Sequence, residues 1–335
     1  MHRIKAATDL LVFTKKGIYC PLAGVYLDPW QKVDKALVSH AHTDHARWGN
    51  GSYIGASESK ELLKHRLGAI NLNTYDYAEP FKINGVEFCF FPAGHIPGSA
   101  QIRVRANQQT WVYSGDYKIH EDGISRPFIP VKCDTFITES TFALPVFQWQ
   151  TQESVFESMR QWCMDNHEQG VTSVLLGYAL GKAQRILAGI KELPLKIFTH
   201  GAVQPLNELL QTSCNLPTTY PITATTTQEE TRGQIIIAPP SAQNTAWLKK
   251  RAPYKTAFVS GWMQLRGTRR RRSVDKGFVL SDHADWKEIL EAVKATGCER
   301  VITTHGYQNE LAQYLTEIGY QSTAHHSLFN TEEEQ

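Results

Sequence analysis

Ser39-His40-Ala41-His42-Thr43-Asp44-His45 follows directly on Lys35-Ala36-Leu37-Val38, a short apolar run that reads as a strand. The heptapeptide places four potential metal ligands at the end of that strand. Side chains alternate along a strand and the loop leaving it, so His40 and His42 can turn to one ion while Asp44 and His45 reach a second. Imidazole and carboxylate without thiolate suit Zn²⁺ or Mn²⁺. Two such ions roughly 3.5–4 Å apart can activate water and clamp a phosphoryl group. The alternative, a solvated His-rich turn, would leave the motif isolated in the sequence.

It is not isolated. Two further strand-like runs end in ligand-type residues, Phe90-Phe91-Pro92-Ala93-Gly94-His95 and Val112-Tyr113-Ser114-Gly115-Asp116. His95 can complete a set with His40 and His42, and Asp116 is a natural bridge, since two cations sharing a site need an anion between them. Upstream, Asp28 ends Val25-Tyr26-Leu27 and can orient a ligand imidazole from behind. The Gly-rich segment Gly94 to Ala100, with Ser99 in it, leaves room for close backbone approach.

Beyond the motif the chain changes rhythm. Residues 10–140 carry short β-like runs broken by turns, with a few helices, the clearest over 57–67. From about 150 strands and helices alternate, with helices at 151–168, 183–191 and 205–212 and strands at 171–176, 195–198, 234–238 and 255–259, which indicates a parallel sheet. A strand–helix–strand–helix passage over 277–318 closes the pattern. Leu216 to Thr227 reads as a surface loop.

Of the 335 residues, 41% are hydrophobic, enough for a large core. The six cysteines, Cys20, Cys89, Cys133, Cys163, Cys214 and Cys298, form no C-x-x-C pair, which argues against a disulfide framework and a thiolate metal site and favours a reducing cytoplasm. No run of about 18 apolar residues suggests a membrane span. Net charge is only +2, but Arg266, Arg269, Arg270, Arg271 and Arg272 concentrate positive charge, and Glu332, Glu333 and Glu334 concentrate negative charge near the end.

The order Asp28, His40/His42/Asp44/His45, His95, Asp116 resembles the hydrolase motifs of the metallo-β-lactamase fold. Thr138-Glu139-Ser140-Thr141, Leu280-Ser281-Asp282-His283-Ala284-Asp285 and Thr304-His305-Gly306 are similar to the three later motifs of the β-CASP nucleases within that fold. Gly177 to Gln184 is similar to the strand-to-helix signature of their inserted domain. Passages such as Gly17-Ile18-Tyr19-Cys20-Pro21, His65-Arg66-Leu67-Gly68, Ala238-Pro239-Pro240-Ser241 and Gly261 to Gly267 resemble the bacterial ligase-associated DNA exonucleases. The resemblance implies an α/β architecture, a metallo-β-lactamase αββα sandwich from residues 1–148 and 277–335 with a β-CASP α/β domain inserted over 149–276.

It also implies roles. His40, His42, His95 and Asp116 would hold one divalent ion, and Asp44, His45, Asp116 and His305 the other. Glu139 and His283 would pair so that the imidazolium protonates the leaving 3′ oxygen. The implied activity is exonucleolytic hydrolysis of DNA, single-stranded or with a free end, in a repair setting shared with a DNA ligase and helicase. A His at the third motif, His305, is more typical of RNA-processing members, so RNA is the alternative substrate; a non-catalytic nucleic-acid scaffold is a further alternative, against which every ligand position is filled. For substrate contact the sequence offers Ser99, Lys182, His200, Arg266 and the Arg269–Arg272 run. Gly177 to Lys182 is not a phosphate loop, because only three residues separate its glycines. Trp30 and Trp262 are candidate base-stacking residues, more readily explained as core. His120, His167, His325 and His326 carry no usable pattern.

Overall fold

The computed structural model describes residues 9–325, the side chain of Arg269 excepted, so His326 and Glu332 to Glu334 lie outside the described residues. The first sheet takes β1 (Val12–Thr14), β2 (Gly17–Cys20), β3 (Val25–Leu27), β4 (Lys35–Leu37), β5 (Ser52–Ala56) and, after helix α1 (Lys60–Leu67), β6 (Leu72–Tyr75), in that spatial order. The first pairs are antiparallel, and β3 to β6 run parallel. Next come β7 (Pro80–Ile83), β8 (Val86–Pro92), β9 (Ala100–Ala106), β10 (Gln109–Tyr113) and β11 (Thr135–Ser140), which open a second sheet.

The strand–helix region follows: α2 (Gln152–Glu168), β12 (Thr172–Leu176), α3 (Lys182–Ile190), β13 (Ile197–Thr199), α4 (Gln204–Leu210), β14 (Tyr220–Pro221), α5 (Gln228–Thr231), β15 (Ile235–Ala238), α6 (Ala246–Lys249), β16 (Tyr254–Val259), α7 (Arg266–Arg272) and β17 (Lys276–Phe278). Its six strands form a third, wholly parallel sheet in the order β14-β13-β15-β12-β16-β17. The segment expected to be a plain loop over 216–227 supplies the edge strand β14, and the arginine run forms the helix α7. Then α8 (Trp286–Thr296), β18 (Arg300–Gly306), α9 (Gln308–Glu317) and β19 (Gln321–Ala324) return to the second sheet, with β18 parallel to β11.

Alternation within strands explains the layers. On β10, Trp111 and Tyr113 join Leu27, Leu37 and Phe90 in the core between the first two sheets, whereas Val112 faces Val293 and Leu311 of α8 and α9 on the outer side. Helix α1 covers the other face of the first sheet through Leu62 and Leu63, in a core continuous with Leu175, Ile186 and Ile235 of the third sheet region. The central strands of the third sheet bury apolar side chains on both faces, Leu175, Ile235 and Ile237 on one and Val174, Leu176 and Ile236 on the other, as parallel sheets do. Asp285 caps α8 by accepting the Glu288 N–H at 2.9 Å. No described helix is long and apolar enough to cross a membrane. All six cysteines are buried free thiols.

Candidate active site

Strand ends of the first two sheets converge on one point, the Asp116 carboxylate, which is 4% exposed just beyond β10. Its Oδ2 lies 3.5 Å from His40 Nε2, 3.3 Å from His45 Nε2 and 3.8 Å from His95 Nε2. Gly115 makes this possible: at φ 55° a side chain there would meet the Ser39 Cβ at 2.7 Å. Gly94 serves the same end, since a Cβ would stand 2.1 Å from the Lys118 carbonyl oxygen. Potential ligand atoms of His40, His42, His95 and Asp116 lie within 4.8 Å of one another, as do those of His45, Asp116 and His305. Asp44 stands beside the second group, with Oδ2 3.6 Å from His45 Nε2.

The outer nitrogen of each imidazole is held by an oxygen, and this fixes which nitrogen turns inward. His42 Nε2 donates to the Leu180 carbonyl at 3.2 Å, and His95 Nδ1 to the Asp282 carbonyl at 2.9 Å. His45 Nδ1 donates to Asp28 Oδ2 at 2.7 Å. The Ser39 hydroxyl donates to Asp28 at 2.5 Å and so accepts from His40 Nδ1 at 2.9 Å; Thr304 donates to the Thr138 carbonyl and accepts from His305 Nδ1 at 2.9 Å. Lone pairs therefore point inward. His42 Nδ1 and His95 Nε2 face each other at 3.0 Å, an arrangement that repels unless a cation lies against both. His40 Nε2 and Asp116 Oδ1 are buried and make no hydrogen bond within the protein. The residues present thus fit divalent ions.

Electrostatics agree. Burial, reinforced by neighbouring imidazoles, holds His40 and His95 well below the usual histidine range, and burial pushes His305 to about 3, so all three are neutral donors at pH 7. Burial acts the same way on His45, but the carboxylates of Asp116, Asp44 and Asp28 outweigh it and raise that group; Asp116, despite burial, is held low chiefly by His45. This corner of the site selects positive charge.

Asp28 anchors the second imidazole. Besides His45 and Ser39 it accepts the Ser39 N–H at 2.7 Å and the Tyr113 hydroxyl at 2.9 Å. Its φ of 40° is costly for a residue with a Cβ, about 1–3 kcal/mol, and is over-determined by these contacts. Glu139, at the end of β11, accepts from Tyr117 N at 2.7 Å, Thr141 Oγ1 at 2.6 Å and His283 Nδ1 at 2.8 Å. The ring of His283 lies 4.6 Å from that of His95, which sets the Glu139–His283 pair against the His cluster.

Several expected substrate contacts lie elsewhere. Lys182 is fully buried: its Nζ sits 3.0 Å from Asp282 Oδ2 and donates to the Leu280 carbonyl at 2.8 Å. It joins Arg185 in holding Asp282, whose carbonyl orients His95, so it supports the site from behind and cannot reach a phosphate. Ser99 is also buried, with Oγ accepting the His95 and Ile96 N–H groups, which shapes the loop, and its burial keeps it from the surface. His200 follows β13 of the third sheet and packs edge-on against Trp247 at 4.7 Å. Arg266, Arg270, Arg271 and Arg272 lie on α7; the Arg272 guanidinium covers the Phe258 ring at 4.6 Å, and Arg271 donates to Thr268. Trp30 is buried and donates to the Lys15 carbonyl, and Trp262 packs on Phe142, as core aromatics do.

Sequence reasoning passed over Leu180, Asp282 and Arg185. Leu180 acts through its backbone, which no side-chain pattern encodes. Lys182 and Arg185, three apart on α3, share a helix face with Asp282 opposite, and that spacing was the available signal.

No family-level sequence model matches the chain. The chain is 28% identical over 92% of its length to a probable DNA ligase of Opitutus terrae, of which it covers 30%. It is 26% identical over 46% of its length to an RNase J-like protein of Methanocaldococcus jannaschii, covering 42% of that protein. A crystal structure of a protein of unknown function from Enterococcus faecalis superposes on 88% of the chain, and on 79% of its own, with a TM-score of 0.61 at 12% identity, a likeness of fold. The chain spans less than half the length of these curated relatives. In its three sheets and its motif order, the chain is similar to the β-CASP nucleases of the metallo-β-lactamase fold.

Proposed function

We propose that the protein is a metal-dependent nuclease that hydrolyses phosphodiester bonds in DNA from a strand end, in a repair setting alongside a ligase. The observation that carries the metal-dependent chemistry is the set of inward lone pairs of His40, His42, His45, His95 and His305 around the single Asp116 carboxylate. The match over nearly the whole chain to part of a probable DNA ligase supports DNA and the ligase partnership. In this reading residues 1–148 and 277–335 form one unit and 149–276 the inserted one, except that β17 (Lys276–Phe278) pairs with β16 and carries the inserted sheet two residues past that boundary.

His40, His42, His95 and Asp116 would hold one divalent ion, Zn²⁺ or Mn²⁺, and Asp44, His45, Asp116 and His305 the other. Such ions supply Lewis-acid polarisation of a phosphoryl oxygen and a more acidic water at neutral pH. The protein does the rest. Asp28, Ser39, Thr304 and the Leu180 and Asp282 carbonyls hold the imidazoles in one tautomer each, so no reorganisation is needed on reaction. Glu139 accepts the Nδ1 proton of His283 and stabilises its charged form, which leaves the Nε2 proton for the departing 3′ oxygen. Burial of Glu139 and His283 excludes competing water.

A second reading, an RNA-processing nuclease, is favoured by His305 in the third motif and by the RNase J-like match. One experiment separates them: DNA and RNA strands of the same sequence, each labelled at one end, incubated with Zn²⁺ or Mn²⁺. The expected result is stepwise shortening of DNA that stops on chelation. Cleavage of RNA alone would install the second reading, and no cleavage of either strand would overturn both.

A further inference from the structure

Trp48 is 68% exposed, the most exposed large apolar side chain among the described residues. A single exposed indole is ordinary on its own, and what singles this one out is its surroundings. The Lys32 ammonium lies 4.9 Å from the Trp48 ring centroid. Its stem crosses the backbone at Gly49, where φ is +99° and any Cβ would meet Lys32 Cε at 2.6 Å, so the glycine permits the crossing. Arg47 and Arg66 line the same groove, and among the described residues lining it three are cationic and none is acidic.

The groove borders the loop that carries His42, Asp44 and His45. Arg66 Nη1 donates at 3.0 Å to Thr43 Oγ1, and Thr43 stands between His42 and Asp44. Arg47 Nε reaches the carbonyl of Asp44 itself at 3.4 Å. An aromatic face flanked by cations is the arrangement that binds single strands: bases stack on the ring while phosphates meet the charges.

We propose that the groove of Trp48, Lys32, Arg47 and Arg66 is the track along which a single-stranded nucleic acid runs to or from the His–Asp cluster, with Trp48 stacking on a base of that strand. The proposal rests on the nuclease reading and adds to it the path of the strand. It assigns the track to the first sheet's side of the site, where the arginine helix α7 is not needed.

The test is equilibrium binding of fluorescein-labelled 12-mers of deoxythymidine and of uridine to the metal-loaded protein carrying His283→Ala, which slows cleavage while leaving the groove intact. Adding Trp48→Ala should weaken binding of the deoxythymidine 12-mer roughly tenfold, and Trp48→Phe should recover most of the loss. Adding Lys32→Gln should reduce the log–log salt slope by about 0.7. Equal losses on the uridine strand also support the track, because stacking ignores the sugar. Melting temperatures, expected unchanged for an exposed residue, guard against unfolding, and Trp48→Phe keeps the test sound if the alanine variant is unstable. Unaltered binding in both Trp48 variants overturns the track and leaves the nuclease reading standing; a parent protein that binds and cleaves neither strand overturns both.

Discussion

His95 follows strand β8 of the second sheet much as His200 follows β13 of the third, and each is a histidine closing an apolar run, the first a candidate metal ligand and the second a candidate substrate contact. The two then part. His95 enters a loop folded back by Gly94 and Ser99, has its outer nitrogen fixed by the Asp282 carbonyl, and points its other nitrogen at His42 and Asp116. His200 accepts the Ala202 N–H within its own turn and packs on Trp247. What separates them is the facing surface. Strand ends of the first sheet, bearing His40 to His45, oppose those of the second across one gap, whereas no acidic or imidazole side chain joins His200 in a metal-type group among the described residues. A histidine after a strand becomes a candidate ligand only when a second strand end supplies its partners.

The largest expected effect lies at the shared carboxylate. Asp116→Ala removes the one group common to both halves of the cluster, and hydrolysis of single-stranded DNA should fall below detection while the circular dichroism spectrum is unchanged; near-normal turnover with full metal content would break the comparison at its root. His283→Ala comes next, slowing the chemical step about 10²–10⁴-fold with metal content preserved. That loss should shrink on a phosphodiester with a better leaving group, and equal losses on good and poor leaving groups would remove His283 as the proton donor.

Lys182→Met leaves the buried Asp282 with Arg185 as its remaining cationic partner, and breaking such a pair costs about 3–5 kcal/mol. Denaturant unfolding should show the loss, with a smaller decline in activity through the loosened His95. A Lys182 that touched phosphate would instead weaken DNA binding and leave stability alone. Changing Arg269, Arg270, Arg271 and Arg272 together to Gln should alter the salt slope of DNA binding by less than one phosphate's share, about 0.7, if the strand runs past Trp48; a larger change would move the strand to α7. His200→Ala should be mildest, costing about 0.5–1.5 kcal/mol for the lost aromatic contact and nothing in metal content or cleavage.

The clustering of the candidate ligands at strand ends was legible because apolar runs, glycines and ligand types recur together, and period and order survive without coordinates. Asp28 was legible for the same reason, as a carboxylate closing a strand just upstream of the motif. The edges β1, β6, β7 and β19 were not, since they are short, half-exposed and carry little alternation. The arginine run gave no helical period because every position bears the same charge, yet long side chains of that kind favour helix. Lys182 misled most: lysine is normally solvated, and only the fold shows Asp282 and the Leu280 carbonyl waiting for it inside. The carbonyl of Leu180, which ties the third sheet's loop to His42, is written in backbone geometry alone.

The most direct test of the account is the metal stoichiometry of the intact protein, measured by elemental analysis after loading with Zn²⁺ or Mn²⁺ and gel filtration. The inward lone pairs around Asp116 predict two ions per chain, with DNA cleavage rising and falling as those two equivalents are added and stripped. A chain that retains no divalent ion, or one that cleaves DNA equally well when fully stripped, would contradict it.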